Sequence, residues 1–137
     1  MILAIDTSGH DLHIGLFSDA AGLVEEFHYV VSEEERAVHD ALLAKRTSEL
    51  LEKNSASVKD ISKIALVIGP GSFTGLRIGL AFAKGLAFGL GAAIIPIKTD
   101  GAITLQRLAE LSLISAPEED TSSLEPFYGT DFKPKPL

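Results

Sequence analysis

No cysteine occurs in the 137 residues, so neither a disulfide framework nor a thiolate metal site can be built, and the composition suits a reducing, cytoplasmic setting. Basic residues are also scarce. With 12 Lys and Arg against 19 Asp and Glu, the net charge is -7 and the pI near 5.0, which argues against gripping nucleic acid by phosphate neutralisation alone. Any RNA would have to be carried by a partner. There is no basic stretch before the short apolar run in MILAIDTS, so the start makes a poor secretory signal. Unbroken hydrophobic runs are missing too. The most apolar region, 78–97, is interrupted by Lys84, Pro96 and several glycines, and reads as a buried helix followed by a strand, with no membrane span expected.

Several catalytic templates fail on spacing. The turn Gly69-Pro70-Gly71-Ser72-Phe73-Thr74-Gly75 is not a P-loop, because Leu76 and Arg77 follow where lysine and a hydroxyl residue are needed. Its third glycine falls one position late for the dinucleotide fingerprint, and Ser72 lacks the flanking glycines of a nucleophile elbow. No second histidine stands one helical turn from His39, since positions 42 and 43 are Leu42 and Leu43, so no helical metal pair forms there. His10, His13 and His28 sit at a turn or on strands and suggest no site.

What is present is an ordinary globular balance, 46% hydrophobic with 23% charged, enough for one domain with a core or for a lobe of something larger. The apolar run 2–5, the turn Asp6-Thr7-Ser8-Gly9 and the alternation Leu12, Ile14, Leu16 predict two strands joined by a tight turn; 23–31 predicts a third. Ser32 and Glu35 fit a capping box for a helix reaching about Lys53, with Val38, Ala41 and Leu42 on one face and Leu43, Leu50 and Leu51 on a neighbouring one. A strand over 64–68, a helix capped by Ser72 or Thr74 and starting near Gly75, a strand over 93–97 ended by Pro96 and Lys98, and a helix over 101–111 complete a βββαβαβα order. That order implies an α/β fold, a mixed sheet with flanking helices. Residues 112–137 are rich in proline, serine and charge, and read as a polar link and C-terminal tail, pinned by Phe127 and Tyr128, after a lobe spanning 1–111.

Two sites are open to argument. Helix amides behind the glycine turn can bind an anion, and Asp6 read functionally would coordinate a metal-bound phosphate, giving a candidate phosphate set of Asp6, Thr7, Ser8, Gly71, Ser72 and Thr74; the alternative is a structural turn, with Asp6 bonding its own backbone. The helix after the turn favours close packing. Gly75, Gly79 and Ala83 form one small face, Ala81, Gly85 and Gly89 another, and Ile78, Phe82, Leu86 and Leu90 a large one. Each helical glycine costs about 1 kcal/mol relative to alanine, so several together require compensating contacts, with the sheet and with a second helix.

ILAIDTS, the segment carrying Arg36 and His39, and above all GPGSFTGLRIG resemble the TsaB (YeaZ) family of accessory proteins in tRNA threonylcarbamoyladenosine biosynthesis, over most of 1–111. The resemblance implies a ribonuclease H-like lobe of the actin-like ATPase superfamily. It further implies a non-catalytic partner of the TsaD transferase, with a TsaE-like ATPase in a larger complex, homodimers when alone, and tRNA bound only indirectly. The implied interface comprises His39, Leu42, Leu43, Leu50, Arg77, Ile78, Ala81, Phe82, Gly85 and Phe88. No cofactor is expected of this chain itself, with ATP conceivable only at a partner interface; the alternative function is an ATP-binding phosphotransferase-like or peptidase-like enzyme of the same superfamily. The family's second lobe, between third helix and tail, is missing, and Gly129 and Thr130 depart from its usual tail.

Overall fold

The computed structural model describes residues 1–9, 11–18, 22–29, 39–99 and 103–127, without the side chains of 22–29 and 39–41. At its centre is β1 (Ile2–Asp6), whose five residues are all buried, as befits an apolar run covered on both faces. β2 (Leu12–Ser18) folds back antiparallel, with Ile2 opposite Phe17 and Asp6 opposite His13, and β3 (Gly22–Tyr29) continues the meander. On the other side β4 (Lys63–Gly69) runs parallel to β1, Leu3 opposite Ile64, and β5 (Ala93–Lys98) runs parallel to β4. The result is a five-stranded mixed sheet in the order β3-β2-β1-β4-β5.

Helices cover both faces. α1 (His39–Lys53) and α2 (Phe73–Leu90) share one core, in which Leu43, Leu50, Leu51, Leu80, Ala83 and Ala87 meet Leu3, Ile5, Ile14, Ile64 and Leu66. α3 (Leu105–Ile114) covers the opposite face, placing Leu105, Leu108 and Ala109 against Ile2, Ala4, Phe17, Val67 and Ile97. The strand residues alternate between the two cores, Leu3 and Ile5 to one and Ile2 and Ala4 to the other, which is the two-residue period of a doubly covered strand. The element order is the expected βββαβαβα.

Some boundaries differ from the sequence expectation, each for a local reason. Pro96 does not end β5 but lies inside it, opposite Leu66, because β5 is an edge strand, where a missing ladder donor is tolerated. α2 starts two residues early, at Phe73, since Ser72 is the cap and accepts the Gly75 amide; Gly91 ends the helix with φ 67°. α3 begins at Leu105 and runs to Ile114, shifted towards the C-terminus because the Thr104 hydroxyl accepts the Arg107 amide at 3.1 Å. The Ser32–Glu35 box, Arg36, the end of the third strand at 30–31 and Tyr128 lie outside the described residues. α2 is long and apolar enough to cross a membrane by length and composition, but here Leu76, Leu80, Ala83 and Ala87 are buried in the fold.

Leu66 is fully buried on β4 beneath α2 and makes the core's sensitivity measurable. Leu66→Ala is expected to lower the unfolding free energy in urea by about 2–5 kcal/mol, with an unchanged denaturant slope.

Candidate functional site

The carboxyl ends of β1 and β4 each lead into a turn, and the two turns meet. Residues 6–8 follow β1, and the glycine turn after β4 brings the start of α2 onto them. The Ser8 carbonyl accepts the Ser72 amide at 2.6 Å, and the buried Thr7 hydroxyl donates to the Gly75 carbonyl at 2.6 Å. Asp6 is 7% exposed and binds its own turn: one carboxylate oxygen accepts the Ser8 amide at 2.9 Å and the Ser8 hydroxyl at 2.5 Å. This is a turn in which the acid replaces a backbone acceptor.

Such an approach is possible only without side chains on the helix. A methyl added at Gly75 would overlap the Thr7 carbonyl oxygen, and one at Gly79 the Thr7 hydroxyl; at Gly71 it would lie 2.5 Å from the Ser8 carbonyl oxygen. The first small face of α2 is therefore filled by the 6–8 turn. Asp6, Thr7, Ser8, Gly71 and Ser72 are brought together, and several of their donors are engaged with one another or with Gly75. Ser8 gives both its protons to Asp6, Thr7 gives its proton to Gly75, and Ser72 gives its amide to Ser8. Thr74 is exposed and stands apart, lining the outer surface of α2 with Phe73.

The second small face is empty. Ala81, Gly85 and Gly89 are exposed, and a methyl at Gly85 or Gly89 would meet nothing within 4 Å. Two shallow depressions run along this side. One of about 420 Å³ is lined by Phe73, Thr74, Arg77, Ile78, Ala81 and Phe82; one of about 450 Å³ by Val58, Ala81, Phe82, Gly85, Leu86, Gly89 and Leu90. They share Ala81 and Phe82 and form one furrow. Phe88 beside it is 93% exposed, and the Arg77 guanidinium stands 5.1 Å from the Phe73 ring centre at its other end. Ile78 and Phe82 are half-buried, packing partly on the core.

The residues of α1 divide differently. Leu43 and Leu50 are 0% and 4% exposed, consumed by this chain's own core, so neither side chain is available to a partner in this fold. Leu42 is half-buried, and His39 is the first residue of α1 with its side chain outside the described part. Phe73 and Gly89 were absent from the sequence-based interface set; the four-residue spacing of Phe73 with Arg77 and of Gly85 with Gly89 was the available signal. Among the described residues no group of three His, Asp or Glu side chains stands ready to hold a metal ion.

The family model for TsaD, tRNA N6-adenosine threonylcarbamoyltransferase, matches residues 22–118. The tRNA threonylcarbamoyladenosine biosynthesis protein TsaB of Bacillus subtilis is 35% identical over 98 residues, 72% of this chain and 41% of that protein. The chain belongs to this family, on its TsaB (YeaZ) branch. YeaZ from Pseudomonas aeruginosa superposes with a TM-score of 0.62 at 27% identity, covering 71% of this chain and 43% of that one. RuvC from Thermus thermophilus, solved with a Holliday junction substrate, superposes with a TM-score of 0.53 at 15% identity over 71% of this chain and 63% of its own, a likeness of fold alone. The lobe is thus ribonuclease H-like, of the actin-like ATPase type. The chain spans about two fifths of the length of the TsaB relatives it matches.

The two faces of α2 give opposite expectations for one substitution. Gly75→Ala, against backbone, is expected to destabilise by about 1–3 kcal/mol. Gly85→Ala, in open space on a helix, is expected to stabilise by about 0.5–1 kcal/mol. Thermal unfolding of the two variants beside the parent chain measures both; equal effects would contradict the assignment of faces.

Proposed function

We propose that this chain supports threonylcarbamoyladenosine modification of tRNA in the cytoplasm as a non-catalytic accessory lobe, docking through the exposed face of α2 onto a TsaD-type transferase subunit. The observation that carries the reading is the division of α2. Its glycines at 75 and 79, with Gly71 in the turn before it, are packed against the 6–8 turn, while Ala81, Gly85 and Gly89 stay open beside an exposed Phe88. A glycine-bearing helix face that meets nothing pays helix propensity without return, unless another helix backbone comes close. Burying Phe88 against a partner would contribute about 1.5–3 kcal/mol.

Family membership supports the choice of partner, since the TsaD family model itself covers 22–118 of this lobe. Two related lobes can pair through corresponding helices, and the same surface serves a homodimer when the transferase is absent. A TsaE-like ATPase would join the larger assembly, and tRNA would be held by the transferase, in keeping with the net charge of -7 here.

Ala81→Arg places a long cation in the furrow, and Phe88→Asp removes the exposed anchor, both at positions away from the chain's own core. Each is expected to weaken binding to the TsaD-type subunit of the same organism by about thirtyfold or more in calorimetry, with an unchanged melting temperature. Cells carrying either variant should lose threonylcarbamoyladenosine from their tRNA. Full modification in cells lacking the chain altogether would contradict the proposal.

A further inference from the structure

Gly69 opens the glycine block, yet its neighbour is not the 6–8 turn. Its φ is 137°, a backbone setting that side-chain-bearing residues avoid, and a methyl built on it would overlap the carbonyl of Phe127. Around this point three segments are stitched together. Phe127 donates its amide to the Ile68 carbonyl at 2.7 Å, Thr99 donates its amide to the Gly69 carbonyl at 2.9 Å, and the Lys98 ammonium stands 4.5 Å from the Phe127 ring centre.

The segment leading to Phe127 has a few discrete anchors and little else. Glu118 donates its amide to the Ile94 carbonyl on the edge strand at 2.8 Å, Lys84 of α2 donates to the Ser122 carbonyl at 3.3 Å, and Leu124, 8% exposed, enters the core shared by α1 and α2. Between these points contact is incomplete: a cavity of about 330 Å³ remains among Lys84, Ala87, Phe88, Ala92, Thr121 and Ser122. Two apolar anchors, Leu124 buried and Phe127 partly buried against the same core, with polar contacts between and before them, make a fastening that opens more easily than the sheet beneath it. The fastening grips α2 along its second half and again at the turn that starts it.

We propose that residues 118–127 are a releasable strap, seated on Gly69, whose release loosens α2 and thereby lowers the affinity of the docking face; the affinity half of this rests on the docking reading above. The strap makes the exposed face of α2 rigid before a partner arrives, so less order has to be imposed on binding.

Hydrogen exchange on the full chain tests the coupling directly. Leu124→Asp, which expels the buried anchor, is expected to speed exchange at the Phe127 amide and at amides 84–92 by roughly tenfold or more, leaving β1 and β2 within about twofold of the parent. Phe127→Ala, a milder change that removes a half-buried ring packed on the core and beside Lys98, should shift the same amides in the same direction, and it decides the matter if Leu124→Asp unfolds the whole chain. Faster exchange at Phe127 with unchanged exchange over 84–92 would overturn the proposal. Affinity for the TsaD-type subunit should fall by about tenfold in step with the loosening of α2. If the parent chain binds no such subunit, the docking reading fails, and the exchange pattern still decides whether the strap and α2 are coupled.

Discussion

Thr7 and Ser8 touch the backbone of α2, and that contact sets the position of the helix on which the rest depends. Thr7 is fully buried, its hydroxyl held by the Gly75 carbonyl, and the Ser8 carbonyl holds the amide that begins the helix. Glycines at 71, 75 and 79 leave the room for it. The two of these that lie in the helix, Gly75 and Gly79, each weaken it by about 1 kcal/mol, and the hydrogen bonds offset part of that loss by about 0.5–1.5 kcal/mol apiece. What is gained is position: the end of β1, the end of β4 and the start of α2 are fixed relative to one another by backbone groups and one buried hydroxyl.

From that constraint follows the character of the other face. A helix held by small residues against the 6–8 turn, and by Leu76, Leu80, Ala83 and Ala87 in the sheet-facing core, needs nothing further to stay in place. The glycines at 85 and 89 meet no neighbour within the described structure and the ring of Phe88 is almost wholly exposed; under the docking proposal a second helix approaching the furrow would use them. The turn that resembles a nucleotide loop thus aims a helix whose outer surface is free. The strap over 118–127 adds a clamp at the same junction, through the remaining glycine of the block.

Much of this was legible in the sequence because it is written in apolar spacing. The doubly buried β1, the alternation of β2 and the β4-turn-α2 unit all follow from runs and glycines that leave little choice, and the family signature falls on the same residues. The faces of α2 were visible as spacing, but which one met the sheet was not, since Gly75 and Gly85 look alike until Thr7 is placed beside one of them. Leu43 and Leu50 entered the interface set through the family resemblance, and in this fold α2 and the sheet bury both. The strap left almost no signal. Phe127 was legible as a pin for the tail, and it does pack on the core; the other fastenings are backbone amides and carbonyls with Leu124 among them, and no periodicity records a backbone hydrogen bond.

An amide chemical-shift map of the folded chain, titrated first with magnesium ATP and then with the TsaD-type subunit, tests the central claim that the glycine block positions a docking helix. The expected result is no change at Gly71, Ser72 and Gly75 with the nucleotide, and shifts concentrated at Ala81, Gly85, Phe88 and Gly89 with the subunit. Saturable shifts at Gly71, Ser72 and Gly75 on adding nucleotide alone, with none along the outer face of α2 on adding the subunit, would contradict it.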